Sequence, residues 1–527
     1  MQRRPIAQRR SLGQATTMTV KISASSAPSR LRRVMVLSAS VLAAAVFELN
    51  LTNISVVLPH MQGAFSATQD QVSWVVTAFF VGMIVGFAWS GWAADRFGRK
   101  QVFMLANLGF VVATFMCGAS DTLGSEVAWR FGQGFWGGPL MPLSQALVLD
   151  SFSRRQHGFA NAIWGIGVMM GPALGPTFGG FITQHWEWHW IFYACLPAAG
   201  VATALCWIFV PKTEGRPERA FDLIGFTALI LAVIAAQLAL NRGERLDWFA
   251  STEIILEVAA AAFFFYILVV QTLTARNPFI EPGIFRDRNA ATGLAITVIW
   301  GFTLHGPLVL TALLLQELRG MPVMTIGIIM SPRGLGVMAG MFLAAQVIKR
   351  VDPRYMIAFG MGTLALSSWF MSQWTMAIGA WDVMWLTTMQ GFSTGFSFVP
   401  LSTKTFSTLP RRYRTEGLTV FNLILFQAIS AGIAVAMNVL TRTSQASRAS
   451  LTEFVSPYSA HSKLLPESWD FGTMSGLASI EAEVMRQAAM IGYLNNFKMI
   501  AIMAACAIPA VFLFTKGRIT GNETADD

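Results

Sequence analysis

Eight side chains define the chemistry this chain could do. Glu48, Asn50, Asp95, Arg96, Arg99, Arg130, Gln133 and Asp150 are ionisable or amide groups set inside long apolar runs or at their ends. Away from water a charge is expensive unless it is paired, hydrogen-bonded or titrated, so such residues serve as ion pairs, proton carriers or ligands for polar groups. Glu48 and Asn50 share one apolar run, and Arg130, Gln133 and Asp150 share another. The 95–99 group lies in a connector between two further runs. No nucleophile stands at a recognisable spacing from a base, and the phosphate loop G-x-x-x-x-G-K-S/T is missing from the sequence. The expectation is that the protein is not an enzyme and uses no cofactor and no metal.

The elements that must position these residues are membrane spans. Hydrophobic residues make up 54% of the 527 and charged residues 13%, against about 25% charged in soluble domains. Fourteen apolar segments fall roughly at 34–58, 72–94, 101–119, 127–149, 158–183, 190–210, 222–240, 254–274, 291–315, 323–348, 355–373, 382–403, 417–440 and 495–515. Runs of about 20 apolar residues span a bilayer core. Lipid offers backbone groups no partner, so each run must be a helix.

Orientation follows from the connectors. With the N-terminus in the cytoplasm, 28 of the 38 Lys and Arg residues lie on the cytoplasmic side, seven lie outside and three fall within spans. This is the bias of the positive-inside rule, and it puts both termini in the cytoplasm. The net charge of +10 is thereby a membrane signature, and nucleic acid is not an expected partner. The outer connector 441–494 is polar with weakly amphipathic stretches. It reads either as a solvated cap or as a docking surface for a periplasmic adaptor protein. Cys117, Cys195, Cys206 and Cys506 each sit in an apolar run, without metal-site or redox spacing. His185 and His189 lie in a Trp-rich connector that suits interfacial packing better than zinc.

Three motifs carry the mechanism. Gly91-Trp92-Ala93-Ala94-Asp95-Arg96-Phe97-Gly98-Arg99-Lys100 places an acid and three cations in a tight glycine turn, which can latch neighbouring helices. Asp95 can meet a helix N-terminus, and Arg99 can pair with Asp150 at the inner end of span 4. Span 5 carries Gly167, Gly171-Pro172, Gly175-Pro176 and Gly179-Gly180, a face of small residues that permits close helix approach, with prolines that allow bending. Span 4 begins Arg130-Phe131-Gly132-Gln133-Gly134, with a charge inside the membrane.

These motifs resemble the major facilitator superfamily, in its fourteen-helix drug:proton antiporter branch (EmrB/QacA type). The 91–100 turn matches the family pattern Gly-x-x-x-Asp-Arg-x-Gly-Arg-Arg/Lys throughout, and 349–354 looks like a degenerate second copy. Span 5 looks like the branch's antiporter motif, and span 4 like its Arg-x-x-Gln-Gly motif, whose arginine is associated with proton coupling. The chain departs from the branch in span 1, where Asn50 stands at the position of the usual Leu-Asp-x-Thr acid. Asn cannot titrate, and Glu48, two residues away, lies about 200° around the helix.

The resemblance implies an all-α polytopic membrane protein with the major facilitator fold, two six-helix bundles plus two inserted helices. The expected organisation is a basic cytoplasmic arm at 1–33, an N-terminal bundle at 34–211 and a linker with the inserted pair at 212–289. A C-terminal bundle at 290–515, including the outer loop 441–494, and a cytoplasmic tail at 516–527 complete it. The implied function is export of small, amphipathic or drug-like molecules across the inner membrane in exchange for protons, by alternating access. Glu48 and Arg130 are then the proton-coupling candidates. Gly91, Asp95, Arg96, Gly98, Arg99 and Asp150 form the gate, and Asn50 and Gln133 face the substrate. A dedicated exporter of one metabolite and a non-transporting membrane sensor are the alternatives.

Overall fold

A computed structural model describes residues 30–153, 156–212, 215, 221–243, 245–276, 278–410, 413–455 and 471–515. Most of the basic arm, the tail and the centre of the outer connector lie outside these.

The N-terminal half is built from α1 (Arg30–Ala64), α2 (Gln69–Phe97), α3 (Arg99–Gly118), α4 (Leu123–Gly137), α5 (Leu140–Ser151), α6 (His157–His185), α7 (Trp190–Tyr193) and α8 (Leu196–Phe209). Next come α9 (Leu223–Arg242), α10 (Thr252–Thr274) and the short α11 (Gly283–Arg286). The C-terminal half holds α12 (Arg288–Leu313), α13 (Val323–Met330), α14 (Pro332–Val347), α15 (Pro353–Met371), α16 (Ala380–Thr405), α17 (Arg414–Phe454) and α18 (Met474–Val511). The pairs α4–α5, α7–α8 and α13–α14 each make one pass, so the described helices form fourteen passes in two six-pass bundles and an inserted pair. Ten of the helical spans are long and apolar enough to cross a membrane. On α16, which lies outside that set, Gln390, Ser393, Thr394 and Ser402 are polar and buried against protein.

Two departures from the sequence reading matter for function. Thr122 caps α4, its hydroxyl accepting from Ser125 N at 3.2 Å, so this helix starts at Leu123 and includes Glu126. The connector 441–494 is also largely helical: α17 and α18 run on as an antiparallel hairpin. Arg448 pairs with Glu481 there, and a Cβ on Gly492 would meet Leu440 at 3.0 Å. At 1.5 Å per residue, α17 continues roughly 20 Å and α18 roughly 30 Å beyond the expected spans.

Asp222 anchors the inserted pair. It caps α9 through Gly225 N (2.9 Å), accepts from Gln271 Nε2 on α10 (2.9 Å) and receives Phe279 N (3.0 Å). Gln237 of α9 reaches Ser430 of α17 at 2.7 Å. Most of α10 is left facing outward.

The core divides along its length. At the end bearing the 91–100 turn, one continuous apolar cluster joins both bundles, running from Phe47, Phe87 and Trp164 to Trp300, Met341, Phe398 and Phe426. Trp164 stacks near Phe398 at 6.4 Å, Phe87 near Phe426 at 5.2 Å, and Asn161 donates to Ser402 at 2.7 Å. At the opposite end this core splits in two. Ile54, Val57, Val75 and Ile191 belong to the N-terminal half alone; Leu314, Ile329, Leu386 and Phe497 belong to the C-terminal half.

Candidate functional site

The turn between α2 and α3 is as tight as its glycines suggested. Gly98 ends one helix and begins the next at φ +91°, a backbone setting open to glycine at little cost. That reversal lets Arg99 ion-pair with Asp150 on α5. Gly91 packs on the first turns of α17, where an added Cβ would lie 3.2 Å from Thr419 Oγ1, and Ser90 Oγ stands 3.5 Å from the same hydroxyl. The guanidinium of Arg96 lies over Trp92, 5.6 Å from the ring centre. Asp95 is half-buried in the same turn. In the second copy, Arg354 bonds Asp352 at 3.1 Å within its own turn.

Along α6 the small residues seat the helix on α1. A Cβ on Gly167 would stand 2.3 Å from Val41 Cγ1. One on Gly171 would stand 2.4 Å from Glu48 Cβ and 2.8 Å from Leu49 N, and one on Gly175 would stand 2.1 Å from Thr52 Oγ1. The backbones approach closely enough for Thr52 Oγ1 to donate to Gly171 O at 3.0 Å. Pro172 and Pro176 lie within this helix. Gly180 faces open space, so the seam stops short of it.

Arg130 is fully buried. Its Nη1 donates to Gln133 Oε1 at 2.5 Å, and its guanidinium stacks 4.3 Å from the Phe79 ring centre on α2. Gln133 passes the network on, donating to Thr114 Oγ1 of α3 at 2.8 Å and to Asn50 Oδ1 of α1 at 3.2 Å. Asn50 and Gln133, expected on the substrate surface, are instead 1% and 0% exposed and bonded to each other. Asn50 therefore serves the arginine's hydrogen-bond network. Glu48, also buried, lies against Gly171 on α6 and has no contact with Arg130.

The carboxyl that does accompany Arg130 is Glu126, four residues earlier on the same helix. It is completely buried, with Arg130 and the Ser120 hydroxyl as its polar neighbours. Nε and Nη2 of Arg130 are buried and unbonded. Cys117 of α3 lies within electrostatic range of both. The sequence reading missed Glu126 because it began span 4 at 127. The signals that would have found it are the Thr122 cap and the one-turn spacing to Arg130.

A second such centre occupies the C-terminal bundle. Gln390-Gly391-Phe392 on α16 repeats Gln133-Gly134-Phe135, and both glycines let a neighbouring helix pass at close range. A Cβ on Gly134 would lie 2.1 Å from Phe79 O, and one on Gly391 2.1 Å from Arg333 O. Arg333 thus stands where Phe79 stands in the first bundle. Its Nη1 donates to Gln390 Oε1 (3.0 Å) and its Nη2 to Leu304 O (2.9 Å). Gln390 continues to Ser368 Oγ at 3.3 Å. Unlike Arg130, Arg333 is only half-buried.

Among the described residues no cluster of His, Cys, Asp and Glu is fit to hold a metal ion. Cys117, Cys195, Cys206 and Cys506 are free thiols. Trp188 stacks on His189 at 3.8 Å in the aromatic connector.

Residues 40–435 match the family model described as Major Facilitator Superfamily. The chain is 30% identical over 473 residues to the "Fatty acid resistance protein FarB" of Neisseria gonorrhoeae, covering 88% of this chain and 92% of that one. It is also 30% identical over 422 residues to the "Multidrug export protein EmrB" of Escherichia coli K12, covering 79% and 82%. In fold it is similar to the human organic anion transporter MFSD10, with TM-score 0.59 and 14% identity over 90% of this chain and 99% of that one. A bacterial homologue of the lysosomal transporter Spinster gives TM-score 0.53 and 15% identity, covering 92% and 98%. With these likenesses spanning nearly the whole chain, the protein belongs to the major facilitator superfamily, in its drug:proton antiporter branch, and is a multi-pass membrane transporter.

Proposed function

We propose that this transporter exports small amphipathic or drug-like molecules from the cell in exchange for protons. In this reading it lies in the inner membrane with both termini cytoplasmic. The observation that carries the proposal is the divided core: one apolar cluster joins the bundles at the cation-rich end, while at the other the described apolar residues fall into two clusters, with α6 still meeting α13 there. With the cation-rich end cytoplasmic, the joined core there is a shut inner gate. The Gly91–Thr419 contact crosses the bundles at that gate, and the Arg99–Asp150 bridge holds the adjoining turn to α5 within the N-terminal bundle. Alternating access needs the joined contacts to open and the separate ones to close, and the tight α1–α6 seam lets the N-terminal bundle move as a unit.

Coupling centres on Arg130. An unpaired charge held in the membrane interior is costly, and a titrating carboxyl one turn away can relieve that cost in one state of the cycle. Glu126 fits that role by position, and Glu48, buried in the α1–α6 seam, is the second carboxyl inside that bundle. The inward proton gradient supplies about 2.3 kcal/mol per charge for each 100 mV, enough to hold a useful substrate gradient. The α17–α18 hairpin, projecting on the outer side, suits a periplasmic adaptor by its reach.

The test is efflux in a strain stripped of its own pumps, with a panel of amphipathic compounds. Expression should lower accumulation of some compounds, and a protonophore should abolish the effect. No change for any compound would overturn the proposal. Orientation is checked with single cysteines at Ser153 and Ser475, both exposed, which should label from the cytoplasmic and outer sides respectively.

A further inference from the structure

We propose that Arg333 is the anion-recognising group of the transport site, so that the preferred substrates are amphiphiles carrying a carboxylate or similar anionic head. The inference rests on the export reading above and names the substrate class within it. Arg333 lies ten residues into the α13–α14 pass, about 15 Å from its outer start at 1.5 Å per residue and so near the middle of the bilayer. It follows directly on the Ser331-Pro332 junction between those two helices. Ser331 keeps helical backbone there, so the pass is one span kinked at Pro332; transporters of this architecture hold their substrates near the midplane, between the repeats.

The level is also that of the fork in the core. Met330, three residues before it, belongs to the separate C-terminal cluster, and Val337, four residues after it, belongs to the cluster that joins both bundles. The Arg333 side chain is partly exposed at this level.

Its electrostatic surroundings lack a counter-charge. The groups bonded to Arg333 are a neutral amide and a backbone carbonyl, and among the described residues no carboxylate pairs with it. His305, on α12 beside Leu304, lies within electrostatic range, and its Nδ1 is buried without a partner. A guanidinium has five N–H donors in a planar fork matched to a carboxylate, and two bonds leave three donors for a ligand. Gln390 and Leu304 fix the fork's orientation, so little side-chain freedom is lost on binding. An anionic head would neutralise a charge that the protein leaves uncompensated, with the apolar tail lying among the side chains of the two bundles.

Purified full-length protein in detergent distinguishes the alternatives, using decanoate, 1-decanol and decyltrimethylammonium as probes of one chain length. Wild type should bind decanoate most tightly. Arg333→Gln should weaken decanoate at least about tenfold, as loss of a charge-assisted bond implies, with 1-decanol nearly unchanged; Arg333→Lys should recover part of the loss. Gln390→Glu, which places a carboxylate against Arg333 without removing it, should also exclude decanoate. Equal decanoate affinity in wild type, Arg333→Gln and Gln390→Glu overturns the proposal, and so does wild-type preference for the cationic probe. In that last case binding and export persist with another class of substrate, so the transporter reading survives. If wild type binds none of the three probes, the anion site is overturned, and the efflux panel decides the transporter reading separately. Elution as a single folded species is checked for each variant by size exclusion.

Discussion

The two bundles each hold an arginine bonded to the glutamine of a Gln-Gly-Phe sequence, yet the two arginines sit in different worlds. Arg130 is sealed, stacked on Phe79 and one turn from a buried acid. Arg333 is half-buried at the fork of the core, bonded only to neutral groups. The difference teaches that a repeated scaffold can be divided by function. A sealed cation with an adjacent carboxyl is arranged to exchange protons inside the protein. A partly exposed cation bonded to an amide and a carbonyl, with no acid paired to it, is arranged to take its counter-ion from a ligand.

Arg130→Gln breaks the first centre. It should abolish proton-driven efflux of every substrate, a loss of about a hundredfold or more, because removing a buried charge from its network costs roughly 3–5 kcal/mol. Arg333→Gln should leave neutral compounds exported. If both variants lost the same substrates to the same degree, the division would be wrong. Glu126→Gln comes next: it should keep substrate binding within about threefold, since a neutral isostere preserves shape, while removing transport against a gradient. Glu48→Gln, with no contact to Arg130, should lower coupling less. Steady-state accumulation with and without a protonophore separates the two.

The helix seams offer a structural contrast. Gly171→Ala would bring Cβ within 2.4 Å of Glu48 Cβ, so thermal unfolding in detergent should show a loss of about 1–3 kcal/mol, typical of overpacking. Gly362→Ala in the other bundle, where the nearest neighbour is Ile508 Cδ1 at 3.9 Å, should be tolerated. The smallest effects belong to the two turns. Asp95→Asn should lower efflux about tenfold with membrane insertion intact, as expected of one charged contact. Asp352→Asn should change efflux less than Asp95→Asn, since its side chain caps α15 and Asn also caps helices well.

Much of this was legible in the sequence because lipid imposes a simple code: length and hydropathy gave the spans. The 91–100 motif marked the Gly98 turn, and four-residue glycine spacing marked the α6 seam. What was hidden depends on tertiary contact. Asn50 and Gln133 looked like cavity residues, and only the packing of α1, α3 and α4 shows that they bond each other. Glu126 was hidden by a boundary, because a polar helix start looks like a loop until its cap is recognised. The α17–α18 hairpin was read as a connector since a helix standing in water needs no apolar run. Arg333 was visible as a charge within a span, but its neutral surroundings were not.

The most direct test of the account uses everted membrane vesicles, acidified inside and carrying a pH-sensitive dye. Adding a compound that the wild type exports should release protons from the vesicles in step with the compound's uptake. Arg130→Gln and Glu126→Gln should release none while still binding the compound, and Arg333→Gln should respond to neutral compounds but not to anionic ones. Proton release by Arg130→Gln equal to that of wild type, or compound uptake by wild type that persists after the gradient is collapsed, would contradict it.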